Sequence, residues 1–140
     1  MSLKRARAVF IEPMLLRKEH LPEGPEWMYE IKLDGYRALA IKSGGAVQLR
    51  SRNDNDFGAR YPRIAGALAH LPDETVVDGE VVALGEDGRP SFNALQNYGS
   101  SRCELLFYLF DVLVLAGRDV MTETLSARRA LLELVNRKSA

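Results

Sequence analysis

Two glycine turns constrain this chain more than anything else in it. Asp34-Gly35 and Gly44-Gly45 separate three runs of strand character, MYEIK, YRALAIKS and AVQLR. Strands joined by two residues can only run antiparallel, so the spacing predicts an antiparallel meander from Met28 onward. TVVDGEVVAL returns to strand character, and a further Asp-Gly turn at Asp87-Gly88 follows it. ELLFYLFDVLVL is almost continuously apolar, which predicts a strand buried on both faces. Helices are expected between these runs. Asp56 can cap one from about Gly58 to His70, with Tyr61, Ile64, Ala65, Leu68 and Leu71 at helical spacing and Pro72 as its stop. Ser91 can cap a short helix holding Phe92 and Leu95, and Ser126 an amphipathic one over ARRALLELVNRK. The expected fold is therefore α+β, an antiparallel sheet with packed helices. Residues 1–27, broken by Pro13, Pro22, Gly24 and Pro25, read as an irregular lead-in with room for one helical turn, and 28–140 as the domain proper.

Composition narrows the functional classes. With 46% hydrophobic and 27% charged residues in 140, the chain can bury a core. Nineteen basic residues balance nineteen acidic ones, so total charge does not point to nucleic acid, although Lys4, Arg5 and Arg7 with Arg17 and Lys18, and separately Arg60 and Arg63, could touch phosphates. Cys103 has no second cysteine to pair with, and His20 and His70 have no zinc-like spacing. The start carries no signal-peptide pattern, and the longest apolar run is broken by Asp111. A soluble, monomeric protein of a reducing cytoplasm is expected.

Four segments carry candidate chemistry. In KLDGYR, Lys32 ends the first strand-like run and Arg37 opens the next, placing an amine and a guanidinium at one hairpin mouth. A lysine amine attacks phosphorus only when unprotonated; burial, a neighbouring cation such as Arg37 or a phosphate-bound metal could each activate it. Taken alone, the hexapeptide is equally a solvated hairpin. In RSRNDNDF, Arg50 and Arg52 share strand parity, and Arg52 could grip a ribose or phosphate oxygen. In VVDGEVVAL, Gly79 interrupts a strand where a backbone or ligand must come close, and Glu80 beside it could bind Mg²⁺ or a ribose hydroxyl. In FYLFDVL, Phe110 could face an adenine, or simply belong to the core. Neither GxxxxGK[ST] nor GxGxxG occurs, so no glycine loop ahead of a helix cradles a phosphate.

In order and spacing these segments resemble the covalent nucleotidyltransferase superfamily: ATP-dependent DNA ligases, RNA ligases and mRNA capping enzymes. EIKLDGYR is similar to the nucleotidyl-lysine motif, SRNDNDF, VDGEVV and FYLFDVLVLAGRDV to the motifs that follow it. RYPRI, SFNALQN and LSARRALLEL resemble DNA ligases in particular, especially the ligase domain of bacterial end-joining enzymes. The resemblance runs from about Pro13 to Val135. It implies part of an ATP-grasp-like nucleotidyltransferase fold, with Lys32 as the nucleophile that forms lysyl-AMP from ATP. It also implies Glu30 at the adenine edge, Arg37 and Arg52 on the AMP sugar and phosphate, Glu80 on ribose or Mg²⁺, and Phe110 against adenine. AMP would pass to a 5′-phosphate at a nick or break in double-stranded DNA, in DNA repair or recombination, with end-joining proteins as possible partners and the bacterial cytoplasm as the setting. The family's later Glu-Gly and Lys-x-Lys motifs and its OB-fold are not found in these residues, so the chain by itself is expected to ligate feebly or not at all. Alternatives are an RNA ligase, a capping guanylyltransferase, or a non-catalytic nucleotide-binding or interaction module.

Overall fold

A computed structural model describes residues 3–15, 20–99 and 103–137. Its centre is a five-stranded sheet: β1 (Tyr36–Ser43), β2 (Ala46–Ser51), β3 (Thr75–Leu84), β4 (Glu104–Leu115) and β5 (Arg118–Asp119), in the order β2-β1-β3-β4-β5. Every neighbouring pair is antiparallel. Three helices accompany it, α1 (Pro62–Ala67), α2 (Phe92–Gln96) and α3 (Leu125–Arg137). None is long and apolar enough to cross a membrane.

Both faces of the sheet are used. One packs on the helices, where Ala38, Ala40, Leu49, Val77, Val81 and Val112 meet Tyr61, Ile64, Leu68, Leu95 and Leu132. The other carries Leu39, Ile41, Val76 and Val114, and the lead-in covers it with Ala8, Phe10 and Ile11. Backbone bonds fasten that cover: Ala6 N donates to Gly117 O at 2.9 Å, and Asp119 N to Lys4 O at 2.8 Å. An apolar residue every second position on both faces explains why β1 reads as a nearly unbroken buried strand.

Several expected boundaries shift, each for a physical reason. The run Met28–Lys32 is not a strand, and Asp34-Gly35 is not a hairpin turn; the chain enters the sheet only at Tyr36. The helix expected from Gly58 begins at Pro62, because Pro62 displaces its predecessor Tyr61 from helical angles (φ −126°, ψ 61°). Asp56 does not cap it but accepts from Gly58 N at 2.8 Å in a local turn. Ser91 does cap α2, accepting from Ala94 N at 3.1 Å. In α3 the cap is Thr124 rather than Ser126: its Oγ1 accepts from Ala127 N at 3.1 Å. Finally, β4 is not buried on both faces. On its outer edge it pairs only with two-residue β5, so most of Glu104–Phe110 stays partly open despite its apolar sequence.

Candidate active site

The lead-in face of the sheet has an apolar part and a polar end. Register sets Arg37 opposite Glu80, and Asp78 lies on the same face two residues from Glu80. The Arg37 guanidinium forms a fork on Asp78, with Nε donating to Oδ1 at 3.0 Å and Nη2 to Oδ2 at 2.5 Å, while Nη1 donates to Met14 O at 2.8 Å. Arg37 is thus held by sheet and lead-in together.

Glycine is required at two points beside this fork. A Cβ at Gly35 would lie 2.1 Å from the Val81 carbonyl oxygen, and one at Gly79 would lie 2.4 Å from that of Tyr108. Backbone cannot yield as a flexible side chain can. The glycine of Asp34-Gly35 therefore serves close approach to β3 rather than a hairpin, and Gly79 lets β3 and β4 close beneath the site, as its strand context predicts.

Phe110 is aimed by a β-bulge. Gly79 pairs with Leu109 and Asp78 with Asp111, leaving Phe110 without a partner, and such an extra residue bends the strand and redirects its side chain. The Arg37 guanidinium carbon sits 5.1 Å from the Phe110 ring centroid, a cation–π contact. Helix α3 then braces the bulge with two consecutive arginines. Arg128 forks onto buried Asp111 (Nε to Oδ1 2.7 Å, Nη2 to Oδ2 3.2 Å), and Arg129 Nε donates to Phe110 O at 2.5 Å while its guanidinium pairs with Glu30.

Lys32, Arg37, Arg52 and Glu80 line one open cavity of about 520 Å³. Glu30 and Phe110 do not line it: Phe110 adjoins it through Arg37, and Glu30 pairs with Arg129, which does not line it either. Lys32 lies on an exposed, irregular segment instead of a hairpin, so among the described residues burial does not supply its activation. Arg52 stands just past the end of β2, in a turn, and Arg50 does not share its role: Arg50 pairs with Asp54 at 2.8 Å. Of the basic clusters, Lys4, Arg5, Arg7, Arg60 and Arg63 are exposed, whereas Arg17 and Lys18 fall outside the described residues.

Burial sets the electrostatics. The Asp78 carboxyl is pushed above the usual range by desolvation, which outweighs the opposing pull of Arg37; the same pair holds Arg37 more firmly charged. Glu80 is likewise raised by desolvation, against the attraction of Arg37 and Lys32. Among the described residues no group of three or more His, Cys, Asp or Glu side chains could hold a metal. A lone carboxylate such as Glu80 suits Mg²⁺ only if phosphate oxygens and water complete the shell, which is how that ion is usually bound beside nucleotides.

Sequence reasoning passed over Asp78, Arg128 and Arg129. Asp78 carried a signal, a carboxylate inside an apolar strand just ahead of Gly79. The two arginines carried none beyond a basic helix end, because only the packing of α3 brings them to β4.

Comparison with known proteins adds a family. Residues 12–139 match the ATP dependent DNA ligase domain family. The multifunctional non-homologous end joining protein LigD of Pseudomonas aeruginosa is 42% identical over 127 residues, 89% of this chain and 15% of that protein. The LigD DNA repair protein of Mycobacterium tuberculosis is 44% identical over 110 residues, 77% of this chain and 14% of that one. The crystal structure of the M. tuberculosis LigD ligase domain superposes with a TM-score of 0.67 at 40% identity, covering 78% of this chain and 36% of that chain. A mycobacterial DNA ligase D complexed with ATP and MES gives the same TM-score and identity, over 77% and 36%. The chain therefore spans about a seventh of these curated relatives and about a third of the ligase-domain structures.

Proposed function

The chain belongs to the ATP-dependent DNA ligase domain family, and on that premise we propose that it carries the nucleophile-bearing part of a ligase active site, in which Lys32 captures AMP from ATP. The observation that carries this reading is the shared cavity of Lys32, Arg37, Arg52 and Glu80, four residues up to 48 positions apart in sequence.

Each residue has a role its surroundings support. The unprotonated Lys32 amine attacks the α-phosphorus: a nitrogen–phosphorus bond forms, the bond to pyrophosphate breaks with its electron pair leaving on pyrophosphate, and the nitrogen gives one proton to water and keeps one N–H. Arg52, which no carboxylate pairs with among the described residues, offers its planar donors to a phosphate or ribose oxygen. Arg37 is different, since Asp78 and Met14 already engage its three nitrogens. We assign it to positioning: it holds the Phe110 ring, against which adenine would lie. Glu30, tied to Arg129, borders the base side of the site. Glu80 takes a ribose hydroxyl or joins phosphate oxygens around Mg²⁺, an ion that neutralises phosphate charge when bound. The AMP would then pass to a 5′-phosphate of nicked or broken DNA, in keeping with the end-joining names of the relatives.

The test uses this chain joined to the remaining part of a ligase domain and ATP labelled at the α-phosphate. Covalent label that disappears in Lys32→Ala is expected. Label taken preferentially from GTP, or label that survives the substitution, overturns the assignment.

A further inference from the structure

Lys32 lies on a segment with few ties to the rest of the molecule. Residues 20–34 contain no helix or strand. Their bonds from Trp27 N to Gly24 O at 3.3 Å and from Tyr29 Oη to Pro22 O at 2.6 Å join the segment only to itself. Among the described residues, the ion pair that carries it to the rest of the fold is the Glu30 carboxylate with the Arg129 guanidinium. Glu30 stands two residues before Lys32, about 7 Å of chain at full extension, so fixing the one limits where the other can be.

Arg129 is itself anchored. Its Nε donates to Phe110 O at 2.5 Å, on the residue that the bulge leaves without a ladder partner, and its neighbour Arg128 grips buried Asp111. A guanidinium is planar and rigid, so one contact with Phe110 O and one with Glu30 set the open segment against the bulge in a fixed direction. Stability is a poor explanation for the second contact. The Arg129 and Glu30 side chains are 29% and 40% exposed, and ion pairs in such surroundings add little to folding. Arg128 and Asp111, at 13% and 6%, already fasten α3 to the sheet. Placement of a reactive amine is another matter, because moving a reacting group by about 1 Å can cost roughly a hundredfold in rate.

We infer that Arg129 is a positioning residue for AMP capture, acting through Glu30 to hold the Lys32 segment against the Phe110 bulge. It does not line the cavity, so its effect reaches the reaction only through the groups it holds. The inference rests on the reading of Lys32 as nucleophile.

Two measurements test it. Trp27 is the single tryptophan and lies three residues before Glu30, so its fluorescence anisotropy reports motion of the segment in the full chain without any chemistry. Arg129→Ala should raise the amplitude of the nanosecond decay while moving the melting temperature by less than about 5 °C, as loss of a partly exposed ion pair requires. Glu30→Ala, which breaks the same pair without touching α3, should do the same. The second measurement uses the chain joined to the remaining part of a ligase domain and ATP labelled at the α-phosphate. At saturating ATP, Arg129→Ala should slow lysyl-AMP formation by roughly tenfold to a hundredfold, and Glu30→Ala by at least as much. On the Glu30→Ala background, Arg129→Ala should add less than about twofold, because residues that act as one unit do not add. Losses that multiply overturn the proposal, as does unchanged anisotropy or unchanged labelling in Arg129→Ala. So does a lowered melting temperature with normal labelling of the folded protein, the mark of a merely structural contact. Label that survives Lys32→Ala would instead remove the nucleophile itself, whatever the anisotropy shows, and so separates that failure from failure of the Arg129 role.

Discussion

The candidate active site is assembled from two regions that differ in how they are held. On one side, Arg37, Asp78, Glu80 and Phe110 stand on paired strands, with a register, a bulge and two close-packed glycines fixing their directions. On the other, Glu30 and Lys32 stand on an exposed segment without a ladder, and Arg52 on a turn. Helix α3 ties the Glu30 segment to the sheet, Arg128 gripping Asp111 and Arg129 holding both Phe110 and Glu30. The contrast teaches that position and reactivity are stored separately here. Changes on the sheet side should cost stability, and changes on the open side should cost chemistry with the fold intact.

The largest effect expected is on chemistry. In the chain joined to the remaining part of a ligase domain, Lys32→Ala should reduce covalent AMP labelling to background while changing the unfolding free energy from urea denaturation by less than about 0.5 kcal/mol, as for an exposed surface change. A large loss of stability would erase the distinction between the two regions. On the sheet side, Gly79→Ala should destabilise by about 3 kcal/mol, at the upper end of overpacking costs, because the new methyl meets the Tyr108 backbone and the Phe107 ring. Chemical denaturation measures it, and a near-neutral result would mean that β3 and β4 are not closely apposed.

Asp78→Ala should cost about 2–3 kcal/mol by the same measurement. It leaves Arg37 charged without its fork, but the Arg37 side chain is 25% exposed and water recovers part of the loss. Thr124→Ala should cost about 1 kcal/mol through the lost cap of α3, and Ser126→Ala almost nothing. Equal effects would return the cap to Ser126.

Glu80→Gln sharpens the contrast most finely. Burial raises the Glu80 pKa in the fold above its unfolded value. Such a group favours folding most when protonated, and that contribution is lost as pH rises through the folded value. At pH 7 the carboxylate is therefore slightly costly, and Glu80→Gln should unfold at slightly higher urea than the unaltered chain, the difference vanishing as pH falls through the carboxylate range. A gain that persisted into acid would show that ionisation is not its source.

Much of this molecule is written locally. The Gly44-Gly45 turn, the buried alternation of β1 and β3 and the Ser91 cap depend on neighbours in sequence, so they were legible there. So was Gly79, and Lys32, Arg52 and Glu80 could be picked out as candidates, which the fold brings to one cavity. The Met28–Lys32 run read as a strand because its alternation is a strand's alternation, but a strand exists only with a partner, and a segment cannot announce whether one is present. The capacity to form strands, their antiparallel sense and the choice of Lys32 as the candidate nucleophile came from sequence alone. Tertiary structure decided the rest: the Phe110 bulge, the Arg37–Asp78 fork and the two α3 arginines that tie the open segment to the sheet. Those depend on distances between residues up to 99 positions apart, as Glu30 and Arg129 are, and only packing sets such distances.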